Sequence, residues 1–189
     1  MKLKSKIHNL SLQGISGVSF GVFSLTYIFL IANLTSQFTS SDEIFSVLPI
    51  SFFELLLVFI SLLFIIISYI MVVLINRKRR RELKLKGWES NAKIIRKIFL
   101  IHLILGSTLL YPFMNYGLIK LIVPMSLILY GVSSLIANKY TEGKTNYLGF
   151  IFLIIALLSM LCSELLFILW GLAFGVCHII YGLVYYKKW

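Results

Sequence analysis

Residues 52–75 carry one charged side chain, Glu54, in a run built otherwise of leucine, isoleucine, phenylalanine, valine and a few small or polar residues. About 20 such residues in a helix cross the roughly 30 Å hydrocarbon core of a bilayer. A run this apolar on all sides has no stable place on the surface of a soluble domain. Five further segments follow the same rule, at 14–34, 98–113, 118–137, 147–161 and 165–186. The third is short unless Asn115 lies near its end, and only Cys162, Ser163 and Glu164 separate the last two. The expectation is an all-α, polytopic transmembrane bundle of about six helices in a single domain. Composition agrees: 59% of the 189 residues are hydrophobic and 13% are charged. A soluble domain would carry about 25% charged residues.

The net charge of +11 comes from basic residues lying between the apolar runs. That arrangement marks the cytoplasmic face of a membrane protein, and it argues against a nucleic-acid partner. With the N-terminus inside, 17 of the 18 Lys and Arg residues fall on inner segments, and Lys120 alone falls outside. An odd number of spans would place a basic segment on the outer side. Both termini are therefore expected in the cytoplasm. The start of the chain, with Lys2, Lys4 and Lys6 ahead of an apolar stretch, resembles a signal peptide. The stretch is too long for one, no A-x-A site follows it, and it reads as a retained first span.

Two connections stand out. The outer one, from Thr35 to Ser51, contains Asp42, Glu43 and Pro49. It reads as a partly ordered surface loop, with interfacial lie of the apolar stretch 44–53 as the alternative. The inner one, 76–97, holds Arg77, Lys78, Arg79, Arg80 and Arg81 in succession and, further on, Trp88. These residues suit anionic lipid headgroups or docking of a partner protein, with Trp88 at headgroup level. Residues 82–85 are able to continue the second helix, with a stop at Gly87 and a new start at Ser90 or Asn91.

Ionisable residues inside a span are functional candidates by default. His178 is the foremost. Gly171, Gly175, His178 and Gly182 share one helical face, flanked by Tyr181 and Tyr185. Gly14, Gly17 and Gly21 form a second small-residue stripe in the first helix. Such stripes let helices approach closely, either one with the other or with a partner protein. The sharper reading of His178 is a proton relay, a ligand contact or, with His102, a haem ligand pair. The plainer and favoured reading is a neutral imidazole hydrogen-bonded to a neighbouring helix. Pro112 and Pro124 are expected to shape helix ends or kinks. A weak echo links Leu129-Tyr130-Gly131-Val132 to Ile180-Tyr181-Gly182-Leu183.

Cys162 and Cys177 form no metal-binding or disulfide pattern. The sequence also lacks GxSxG, HExxH, a Walker lysine loop and GxGxxG. Asp42 is its only aspartate, which excludes an aspartate-pair intramembrane protease. No catalytic residue, metal or cofactor is expected.

The stretch Trp170-Gly171-Leu172-Ala173-Phe174-Gly175-Val176-Cys177-His178-Ile179-Ile180-Tyr181-Gly182 resembles the last helix of small multi-pass membrane proteins of Bacteroidota-type bacteria. The resemblance covers roughly the last two helices. It implies a bacterial inner-membrane location and supplies no activity. The leading functional expectation is a non-enzymatic accessory subunit of a membrane complex, or a homo-oligomer. The alternatives are a small permease or channel with a polar path near His178, and an intramembrane enzyme or haem protein.

Overall fold

The computed structural model describes residues 11–39, 50–82, 84, 90–116, 118–141 and 144–185. Among these residues the chain is all-helical, with six helices and no strand. Helix α1 is Ile15–Thr39, α2 is Ile50–Glu82, α3 is Ser90–Asn115, α4 is Ile122–Ala137 and α5 is Thr145–Leu161. Helix α6 runs over Ser163–Val184. It opens with a 3-10 turn and contains a π-helical turn at Leu172–Val176. Three helices are long and apolar enough to cross a membrane, at Ile15–Phe38, Phe52–Glu82 and Ser163–Val184. Helices α4 and α5 are apolar but shorter, at 16 and 17 residues.

The basic connection between the second and third helices is smaller than its charge suggests. Neither glycine nor proline occurs between Pro49 and Gly87, so nothing in the backbone chemistry stops α2 at the end of its apolar run. The helix continues through Arg77–Arg81 to Glu82, and three arginines in its last turn complement the negative end of the helix dipole. Lys84, with φ of 54°, lies beyond the helix end in the left-handed region. Helix α3 then starts at Ser90, a full two turns before the expected apolar boundary at Ile98. Thus 76–82 and 90–97 are helical, and the connection shrinks to 83–89. At its far end α3 runs through Pro112 to Asn115, which gives it the length the sequence left open. Pro124 sits in the first turn of α4, where its missing N–H is not needed. Trp88 and residues 40–49, which include Asp42, Glu43 and Pro49, lie outside the described residues.

Helix α1 packs on α2 and α6, α4 packs on α3 and α5, and α6 touches α4 and α5. The start of α1 meets the end of α6, where Gly14 N–H donates to the Gly182 carbonyl at 3.0 Å. Leu127, Leu148, Phe152, Ile155, Ala156, Ala173, Phe174 and Tyr181 form the core. The distribution of polarity is inverted relative to a water-soluble bundle. Ser16, Ser24, Ser133, Ser134, Ser159 and His178 are buried, while Phe29 is 71% and Leu161 81% exposed. Several of the buried serine hydroxyls donate to a carbonyl one turn back in their own helix, as at Ser24 to Phe20 and Ser133 to Leu129, both at 2.8 Å. Outward leucines and phenylalanines with polar groups turned inward are what a hydrocarbon solvent selects.

Candidate functional site

The glycines predicted as packing stripes face one another across α1 and α6. A Cβ on Gly21 would stand 2.6 Å from the Gly175 carbonyl oxygen, and one on Gly182 would stand 2.7 Å from the Val18 nitrogen. Gly17 lies over the backbone of Gly182 and His178, and Gly171 and Gly175 admit the Leu25 and Ile28 side chains of α1. Hydrogen at these positions is what lets the two backbones come into contact. Gly14 takes a φ of 66°, which glycine adopts freely, and so turns its N–H onto Gly182. The seam is therefore an intramolecular one.

That close approach buries His178 completely. Its ring sits among Phe20, Tyr130, Phe152 and Phe174, with centroids 4.7–6.1 Å away. Nδ1 is 3.3 Å from the Ala173 carbonyl, five residues back, across the π-turn. A carbonyl only accepts, so this contact places the proton on Nδ1 and leaves Nε2 as an acceptor. Tyr130 of α4 answers it, its hydroxyl donating to Nε2 at 2.6 Å. The result is a neutral imidazole with both nitrogens engaged, which fixes α6 to α4 through a closed aromatic cage. The π-turn is part of that arrangement, since it is inside this turn that the Ala173 carbonyl lies.

The cage continues as a chain of rings. Trp170 stacks obliquely on Phe174 at 4.5 Å and donates its indole N–H to the Ser126 hydroxyl at 3.2 Å. Tyr27 of α1 reaches Trp170 at 5.4 Å, stacks on Phe64 of α2 at 4.1 Å and hydrogen-bonds Ser61 at 2.6 Å. Phe99 of α3 meets Tyr130 at 5.4 Å. Every helix thus contributes a ring to one connected set.

The other sequence candidates are placed separately. His102 is half-buried and donates from Nδ1 to the Ile98 carbonyl of its own helix at 2.8 Å. Among the described contacts none joins it to His178, and no cluster of three His, Cys, Asp or Glu residues occurs among the described residues. Tyr181 is buried, with its hydroxyl turned toward the Gln13 side chain. Arg77, Lys78 and Arg81 are exposed on the last turns of α2, Arg79 is half-buried and Arg80 is buried.

Sequence reasoning did not find Tyr130 as the partner of His178, although the Leu129-Tyr130-Gly131-Val132 echo contained it. Nor did it find the second glycine crossing, where a Cβ on Gly149 of α5 would stand 2.8 Å from the Gly131 carbonyl of α4. The signal was present in the echo itself: both Tyr-Gly pairs put the glycine on a helix crossing and the tyrosine in the core or its immediate lining.

Compared with known families, curated proteins and solved structures, the chain gives no match.

Proposed function

We propose that the chain is a six-span protein of a bacterial cytoplasmic membrane, with both termini inside, that acts without catalysis as an accessory subunit of a membrane complex or as a homo-oligomer. The observation that carries this reading is the closed state of the polar constellation around His178. Both nitrogens of His178 are engaged by Tyr130 and Ala173, inside a cage of aromatic rings. An imidazole so held is an element of packing rather than a base or an iron ligand. The inverted polarity of the bundle and the bias of Lys and Arg toward one side support the membrane assignment and the orientation.

The glycine stripes are occupied within the chain, so the surface left for a partner is elsewhere. The outward apolar face of α2, with Leu55, Phe59, Ile66 and Tyr69 exposed, and the cationic turns Arg77–Arg81 are the candidates. Each cation near an anionic leaflet contributes about 1 kcal/mol to lipid attraction. Purification from native membranes in mild detergent, followed by mass spectrometry and mass determination, tests the proposal. A co-purifying protein or a defined homo-oligomer is expected, and a lone monomer removes the reading.

A small permease is the second reading, favoured by one observation: π-turns concentrate at functional positions, and this one adjoins the buried histidine. Flux into liposomes decides it. Transport that is unchanged in His178→Ala takes His178 out of any such path.

A further inference from the structure

The cationic end of α2 and the cationic start of α3 are close in sequence but do not pack together. Helix α2 lies on α1 and α3 on α4, and among the described residues neither packs substantially on the other. The connection nevertheless keeps them near, with Lys84 and Ser90 at most about 22 Å apart. Residues 76–97 carry ten Lys and Arg residues against two carboxylates, Glu82 and Glu89, so the two ends repel each other. Charges at the edge of hydrocarbon are screened less than charges in bulk water.

Exposed cations and exposed apolar residues are aligned on both helices. On α2, Ile66, Ile70, Leu74, Arg77 and Arg81 are exposed and recur at spacings of three and four, which places them on one helical face. On α3, Lys93, Lys97, Leu100 and Ile104 are exposed and do the same. The four cations lie within six residues of the apolar boundaries at Ile75 and Ile98, or about 9 Å along the axis. Each helix thus presents an apolar row that ends in positive charge. A second copy of the chain would bring more positive charge to the same level, and a free phosphate would offer nothing to the apolar rows. An anionic phospholipid meets both demands. Its phosphate suits the guanidinium forks of Arg77 and Arg81, and its acyl chains suit the rows beyond them. We infer that one anionic phospholipid bridges α2 and α3, its headgroup held between Arg77 and Arg81 on one helix and Lys93 and Lys97 on the other. Such a lipid rests on the membrane and orientation proposed above and is independent of the accessory role.

Native mass spectrometry tests this on the full chain released from bilayers of equal phosphatidylglycerol and phosphatidylcholine, with lipid counted per protomer whatever the oligomeric state. One phosphatidylglycerol per protomer, retained in preference to phosphatidylcholine, is expected. In titrations of the delipidated chain with phosphatidylglycerol in neutral detergent, Arg77→Gln with Arg81→Gln should weaken binding about thirtyfold, and Lys93→Gln with Lys97→Gln should do the same. Lys139→Gln with Lys144→Gln removes two exposed cations from the connection between α4 and α5 and should weaken it about threefold or less. Equal retention of the two lipids, full affinity in the Lys93 and Lys97 variant, or an equal loss in the Lys139 and Lys144 variant would each overturn the inference. So would displacement of the lipid by millimolar inorganic phosphate, which would mark a free-anion site, or a protein retained there in its place.

Discussion

Adding one methyl group to Gly21 tests whether the α1–α6 seam is the intramolecular contact described here. A Cβ there meets the Gly175 carbonyl oxygen at 2.6 Å, Ile179 Cγ1 at 2.7 Å and the Ile179 nitrogen at 2.9 Å. Two of these three atoms are backbone and cannot swing aside. Ordinary contact begins near 3.4 Å, so the helices must part by about 0.8 Å, which loosens packing along the whole seam. Overpacking of this kind costs about 1–3 kcal/mol. At about 2–4 °C per kcal/mol for a chain of this size, Gly21→Ala should lower the midpoint of thermal unfolding in detergent by about 2–12 °C. Gly171→Ala is the matched control. Its Cβ meets only side-chain atoms, Ile28 Cγ2 at 3.2 Å and Leu25 Cδ2 at 3.8 Å. Those atoms can adjust, so a shift of about 1–2 °C or less is expected. Equal midpoints for the two variants would refute the reasoning. So would a Gly21→Ala chain that keeps its monomer stability while losing an oligomer, because that result would assign the stripe to an intermolecular contact.

Tyr130→Phe strands the His178 Nε2 acceptor in its aromatic cage and should cost about 1–3 kcal/mol of stability. Adding His178→Leu to that variant should return part of the loss, and a coupling below about 0.5 kcal/mol in the double-mutant cycle would deny the pair. Trp170→Phe removes the indole donor to Ser126 and should cost about 0.5–1.5 kcal/mol, read from thermal unfolding against the parent chain. Reporters fused to either terminus should both register the cytoplasmic side. Replacing Arg77, Lys78, Arg79, Arg80 and Arg81 together by glutamine should produce a mixed orientation, and an unaltered orientation would show that other charges set it.

The helices, their order and the packing faces of α1 and α6 are legible in the sequence because each rests on a local rule, although the glycines left open whether those faces meet each other or a partner. Apolar length locates the spans, and glycines at spacings of three and four mark the face that packs. Continuation of α2 beyond its apolar run was legible as well, because no glycine or proline interrupts the cations, and the helix ends at Glu82, short of the stop expected at Gly87. The role of His178 was half legible. Its burial follows from the glycine face it shares, but its partner lies 48 residues away on another helix, and no periodicity within either helix encodes that pairing. The π-turn is less legible still, since the residues over Leu172–Val176 fit an α-helix equally well. Asn76 read only as the edge of the basic segment, because its contact with Ser11 joins residues 65 apart.

The helices differ in length by a factor of two. At 1.5 Å per residue α2 measures about 50 Å, while α4 and α5 measure only about 24–26 Å. Set in a hydrocarbon layer about 30 Å thick, one flank of the molecule is too long and the other too short. In a bilayer, leaflets beside the α4–α5 hairpin would have to dimple inward while α2 leaned or projected its cationic turns past the surface. The surrounding acyl chains would thus be deformed asymmetrically. The elastic energy of that deformation would draw the protein toward thinner patches of membrane, or toward neighbours whose own short flank relieves it.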